Sequence, residues 1–200
     1  MGFIKQEIRK LSKESGGKLL ARVKAHIWFT KGKSNRTDKS VTATGQRFRA
    51  GKIYVFDYNT PKGIQTLEWW DKNPVVLALD PYKGNDVGIN LNLLPVSVKE
   101  ELLDILYDRL QGQIKSQSNG NRASDALRQG QLSFRYEGAK AFLKRYGFDF
   151  AIRQYIPNLK TNQAVVSYEN WARIALCDFI DLNGSTVGKI RYQFRKHLNK

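Results

Sequence analysis

The chain has 200 residues, 41% of them hydrophobic and 12% aromatic, which suits one folded domain with or without an extension and excludes a disordered polymer. Its 34 Lys/Arg against 18 Asp/Glu give a net charge of +16, the balance of a protein that meets polyanions. No stretch approaches the roughly 18 apolar residues of a membrane span, and the charge from Lys5 onward rules out the apolar run of a signal peptide.

Residues 3–14 predict an amphipathic helix. Ile4, Ile8 and Leu11 fall on one stripe, with Lys5, Arg9, Lys10 and Lys13 on the remaining arc. Gly16-Gly17 ends it. A second helix is expected from residue 18 to about 29, with Leu19, Leu20, Val23 and Ile27 on one side. Residues 31–46 are polar and without period, so they read as a loop or mobile arm.

The middle of the chain reads as β-structure. Residues 52–58 alternate Ile53/Val55 against Tyr54/Phe56/Tyr58, and residues 59–63 carry turn chemistry. The apolar run 74–80 suits an interior strand. Residues 86–94 alternate again, with Val87, Ile89, Leu91 and Leu93 inward and Asn90 and Asn92 outward. Ser97-Val98-Lys99-Glu100 has the spacing of a capping box, opening a helix to about residue 110 that buries Val98, Leu102, Ile105, Leu106 and Leu110. Residues 116–122 read as a loop, 137–146 as a helix, and 164–179 as a strand followed by a turn and strand or by a short helix. A last helix is expected over 185–198.

Positive charge is confined to the two flanks. Residues 1–50 carry 13 Lys/Arg against 3 Asp/Glu, residues 51–110 carry 6 against 9, and residues 111–200 carry 15 against 6. Phosphate contact needs only cations within reach. The candidates are Arg22, Lys24, Lys31, Lys33, Arg36, Lys39, Arg47 and Arg49 in the first flank, and Lys189, Arg191, Arg195 and Lys196 in the last. A solvated surface, or one docked on an acidic partner, would carry the same residues. Sequence-specific readout has no support, because no helix-turn-helix or zinc-finger pattern appears. Trp69-Trp70 reads two ways, as lids on the core or as a stacking platform for exposed bases. The same choice applies to the Tyr54/Phe56/Tyr58 face.

Catalytic patterns are weak. The two histidines, His26 and His197, sit in basic helical stretches and give neither a triad nor a zinc site. Residues 183–189 resemble a phosphate-binding loop, but the glycine spacing is one residue short and Ile190 stands where Ser or Thr belongs. Asp57, Glu68, Asp71, Asp80 and Asp86 lie near strand ends, where carboxylates of a metal-dependent nuclease could converge. Such residues are more often solvated in turns. Cys177, in an apolar run, reads as a buried small hydrophobe. No catalytic residue, metal ligand or cofactor is expected.

Three motifs between residues 51 and 95 carry a resemblance: Gly51-Lys52-Ile53-Tyr54-Val55-Phe56-Asp57-Tyr58, Leu67-Glu68-Trp69-Trp70-Asp71-Lys72-Asn73-Pro74-Val75-Val76-Leu77, and Gly88-Ile89-Asn90-Leu91-Asn92-Leu93-Leu94-Pro95. They resemble small virion-associated proteins of T-even-type tailed bacteriophages, some of them DNA end protectors. The resemblance implies a non-enzymatic structural protein that binds the ends of linear double-stranded DNA and blocks host exonuclease. It also implies other phage structural proteins as partners, and residence in the virion and the host cytoplasm. The basic flanks suit that role, with Trp69 and Trp70 as caps on the exposed base pair. A tail, baseplate or head-completion component docking on acidic subunits is the alternative, and a packaging nuclease the second. No membrane partner is expected. The expected architecture is α+β: a basic helical extension and arm over 1–50, then one domain over 51–200 with a small antiparallel, barrel-like sheet packed by helices.

Overall fold

The computed structural model describes residues 2–34, 41–43, 47–58, 73–81, 84–117 and 135–177, with the backbone alone at 31–34, 41–43 and 109–117. Two helices come first, α1 (Phe3–Ser15) and α2 (Lys18–Ser34). They form a hairpin because Gly16 takes φ +80°, letting the amides of Gly16 and Gly17 bond back to the carbonyls of Lys13 and Ser12. The strands are β1 (Val41–Ala43), β2 (Ile53–Tyr58), β3 (Val75–Ala78), β4 (Asp86–Asn90), β5 (Ile152–Tyr155) and β6 (Lys160–Val166). Helices α3 (Val96–Gln117), α4 (Tyr136–Arg145) and the short α5 (Trp171–Leu176) follow among the described residues. The class is α+β, as expected.

The sheet runs β1-β6-β2-β3-β4-β5, and every neighbouring pair is antiparallel. It is open, not barrel-like, with β1 and β5 at its edges. It is nonetheless strongly curled. Four strand spacings, about 19 Å on a flat sheet, separate β5 from β6 in this order. The chain joins them through Ile156 and a 3-10 turn at Pro157–Leu159, far too short for that span at about 2 Å rise per turn residue. The ends of β5 and β6 therefore approach each other across the concave face, where the amide of Ile156 donates to the Tyr58 hydroxyl at 3.3 Å.

Alternation in β2 separates two cores. Ile53, Val75, Leu77, Val87 and Ile89 point to the helical side and meet Ile4 and Ile8 of α1, Leu102 and Leu106 of α3, and Trp171 and Ile174 of α5. Both helices ahead of residue 50 belong to that layer. Asp104 of α3 accepts the Lys5 amide at 3.3 Å, covering the start of α1 where no side-chain cap exists, and Lys18 pairs with Glu100 at 2.8 Å. On the concave side Tyr54, Phe56 and Tyr58 bury one another with Phe48 and Tyr155. These rings are core, so they offer no face to a nucleic-acid base.

Several local expectations change. Val96 opens α3 one residue before Ser97, whose hydroxyl thus sits inside the first turn instead of capping it. Lys99 is fully buried and donates to the Cys177 carbonyl at the end of α5. Strand β4 stops at Asn90, followed by a 3-10 turn over Leu91–Leu93. Asn90 and Asn92 are buried, not outward: the Asn90 carboxamide accepts from the Asn92 amide at 3.0 Å, and Asn92 Nδ2 donates to the Asn73 carbonyl at 3.1 Å. Residues 160–176 resolve to a strand and a short helix. Cys177 is buried, as read.

At Gly88 a side chain on β4 has no room beside β3. A Cβ there would run into Val76 Cγ1 and lie 2.8 Å from the Leu77 carbonyl oxygen. The backbone oxygen cannot rotate away, so Gly88→Ala is expected to destabilise by about 3 kcal/mol, at the upper end of overpacking costs. Urea unfolding monitored by tryptophan fluorescence measures it; a loss below about 0.5 kcal/mol would contradict the close approach.

Candidate nucleic-acid interface

Alternation across Arg47-Phe48-Arg49 builds the clearest cationic corner. Phe48 is buried on the concave face, stacked on Tyr54 at 4.6 Å between centroids, so both arginines project into solvent. The backbone is fixed on both sides. The Arg49 amide donates to the Tyr54 hydroxyl at 2.8 Å, while the Gly51 amide donates to the Ala78 carbonyl at 2.9 Å and the Ala78 amide to the Lys52 carbonyl at 2.8 Å, which staples the following turn to β3. Gly51 itself has φ +78°, a conformation that glycine adopts without strain. Lys52 joins this corner, 5.6 Å above the Tyr168 ring. Partial burial lowers its pKa, and the nearby Arg49 charge lowers it further. Like charges held this close favour an anion that bridges them.

Beneath the corner lies a buried ion pair. Lys160 and Asp86 are in contact, with side chains 2% and 1% exposed, and the ammonium sits 4.0 Å over the Phe48 ring. A bulge in β6 puts Lys160 there. The β2–β6 register slips by one residue between Val55 and Asp57, around Asn162 at φ +53°. One extra residue turns Lys160 from the helical side to the aromatic side. Burial lowers the lysine's pKa, Asp86 opposes that shift, and Arg47 adds to it.

The remaining candidates are dispersed. Lys24 is exposed on α2, whereas Arg22 is half-buried and its Nε has no hydrogen-bond partner among the described residues. Lys31 and Lys33 belong to the backbone of α2, not to a loop. Arg36, Lys39, Trp69, Trp70, Lys189, Arg191, Arg195 and Lys196 lie outside the described residues, as do the turn at 59–63 and the helix expected over 185–198. Of the carboxylates, Asp86 is sequestered by Lys160, Asp57 accepts from Asn162 Nδ2 at 2.6 Å, and Glu68 and Asp71 fall outside the described set. Among the described residues no three His, Cys, Asp or Glu side chains are placed to hold a metal ion.

Cations outside the sequence-derived set are also exposed. Arg9 and Lys13 face solvent on α1, and Arg135, Lys140, Lys144 and Arg145 run along α4. Helical spacing of Lys140 and Lys144 was the available signal for the second group. Glu7, Glu14 and Glu169 line an open cleft of about 420 Å³ with Lys10, Trp28 and Arg173, a lining of mixed charge.

A family model described as phage T4 terminal DNA protecting protein matches residues 2–186. The chain belongs to this family. The likeness read between residues 51 and 95 therefore extends over both helices of the amino-terminal flank, the whole sheet and α5. No curated protein and no solved structure matches significantly. Membership of the terminal DNA protecting family makes this a bacteriophage protein of the end-protector type. Among its described residues no helix is long and apolar enough to cross a membrane.

Proposed function

We propose that this protein binds the ends of the linear phage genome through its exposed cations and shields them from exonucleases, without catalysing a reaction. The family match over residues 2–186 carries the reading. The cationic corner at Arg47, Arg49 and Lys52, held rigid by Phe48, supplies phosphate contacts of the kind such binding requires. Arg22, Lys24, Lys31, Lys33, Arg36 and Lys39, with Lys189, Arg191, Arg195 and Lys196, extend the grip from both flanks, and Trp69 and Trp70 cap the terminal base pair. The protein acts in the virion and in the host cytoplasm after injection, with double-stranded DNA as its partner.

An exonuclease-protection assay tests this. Saturating protein is expected to keep a blunt linear duplex intact against a processive exonuclease. A covalently closed circle of the same sequence should compete at least about tenfold less well than the linear form for the protein, a difference worth about 1.4 kcal/mol. Equal competition by the circle would leave DNA binding but remove the end-specific role. Loss of protection at saturation would remove the role altogether.

A further inference from the structure

Helix α2 is apolar on two opposite sides. At about 100° per residue, Ala21, Ala25, Trp28 and Phe29 share the side that packs against α1 and α5. Leu19, Leu20, Val23 and Ile27 share the other, and they are 73%, 51%, 48% and 46% exposed. A surface helix needs one apolar stripe, and one that is apolar all round is an interior helix. Among the described residues the second stripe has no helix or strand packed on it. Its four aliphatic side chains form a continuous patch on the order of a few hundred Å², the size that marks an interaction surface.

We propose that this outer face of α2 docks an apolar, acid-rimmed surface of another protein. Charge selects the occupant. The helix sequence contains five Lys/Arg and no Asp or Glu, with Lys24 and His26 at the borders of the stripe. A second copy would set two such helices side by side on molecules of net charge +16 each, a juxtaposition that like charges oppose. DNA offers nothing to four aliphatic side chains. A lipid surface is seated by aromatic anchors, yet Trp28 and Phe29 lie on the opposite side of the helix, partly buried against the core, and the stripe from Leu19 to Ile27 is only about 12 Å long. A groove lined by aliphatic side chains and edged with carboxylates satisfies both the stripe and its border.

The probe is a designed helical peptide with one leucine face and glutamate rims, set against the same peptide with lysine rims. Fluorescence anisotropy with the full chain is expected to show binding of the glutamate-rimmed peptide alone. Val23→Asp and the milder Val23→Ser should each weaken it, the first by about tenfold or more. Because Val23 is half exposed, both variants should keep the wild-type melting temperature, and the uncharged Val23→Ser should keep full protection of DNA ends, which separates this docking from the DNA-binding reading. Equal binding by wild type and Val23→Asp would overturn the proposal. So would a wild-type dimer in analytical ultracentrifugation that Val23→Asp dissolves, which assigns the stripe to a second copy. Flotation with phosphatidylcholine–phosphatidylglycerol vesicles that Val23→Asp abolishes would assign it to lipid.

Discussion

Raising salt from about 50 to about 200 mM is expected to weaken binding to linear duplex ends by about 10³-fold, with log affinity falling linearly against log salt at a slope near −5. Each cation that neutralises a phosphate releases condensed counterions and contributes about −0.9 to that slope, so about six contacts are implied. Arg9, Lys13, Lys24, Arg47 and Arg49 are exposed in the first flank alone, and α4 presents Lys140 and Lys144. Arg47→Gln combined with Arg49→Gln should make the slope shallower by about 2. Both residues are exposed while Phe48 between them holds the backbone, so thermal stability should change by less than about 1 kcal/mol. The preference for ends over closed circles should behave differently. Phosphates are the same on both forms, so that ratio reflects contact with the exposed base pair and should hardly vary with salt. A slope shallower than about −1 would mean that the cations are not on DNA. Filter binding or fluorescence anisotropy across a salt series reads both quantities.

The sheet was legible wherever its pattern had period two. Ile53/Val55 and Tyr54/Phe56/Tyr58 divide between two cores as their alternation implied, and Val75–Ala78 is buried on both faces. Three features were not legible. Asn90 and Asn92 continue an alternation that resembles a solvated face, because a carboxamide that caps a turn has the same hydropathy as one in water. The shared side of Leu19, Leu20, Val23 and Ile27 was readable, but not its direction. Periodicity says which residues lie together, and close helix contact selected the small Ala21 and Ala25, whose hydropathy signal is weak. The curl shows in the strand order, which sets β5 and β6 four strands apart although a short turn joins them, and in the Asn162 bulge, long-range facts that no local window contains. At the candidate interface, Arg47 and Arg49 were readable as basic residues and nothing more. What fixes them, the Phe48 plug and the Lys160–Asp86 pair below it, comes from three separate segments of the chain.

Lys160→Ala is expected to lower stability by about 3–5 kcal/mol, the cost of leaving a buried charge unpaired. The ammonium has exchanged water for the Asp86 carboxylate and the face of Phe48 at 4.0 Å, with Phe56 at 6.0 Å, contacts whose strength depends on exclusion of solvent. Removing it strands Asp86, 1% exposed, among aromatic rings. For a chain of this length that loss corresponds to a fall in melting temperature of about 10 °C. Replacing both partners with apolar residues of similar size, Lys160→Met with Asp86→Leu, should recover most of it, since no charge is then buried. The two variants part company in function. Without the ammonium the ring stack that holds Phe48 loosens, so the single variant should bind DNA ends more weakly even at temperatures where it is folded. The double variant keeps a filled core under Phe48 and should bind nearly as wild type. A single variant that costs less than about 1 kcal/mol would place the pair in contact with water, because only exposed ion pairs are that cheap to break.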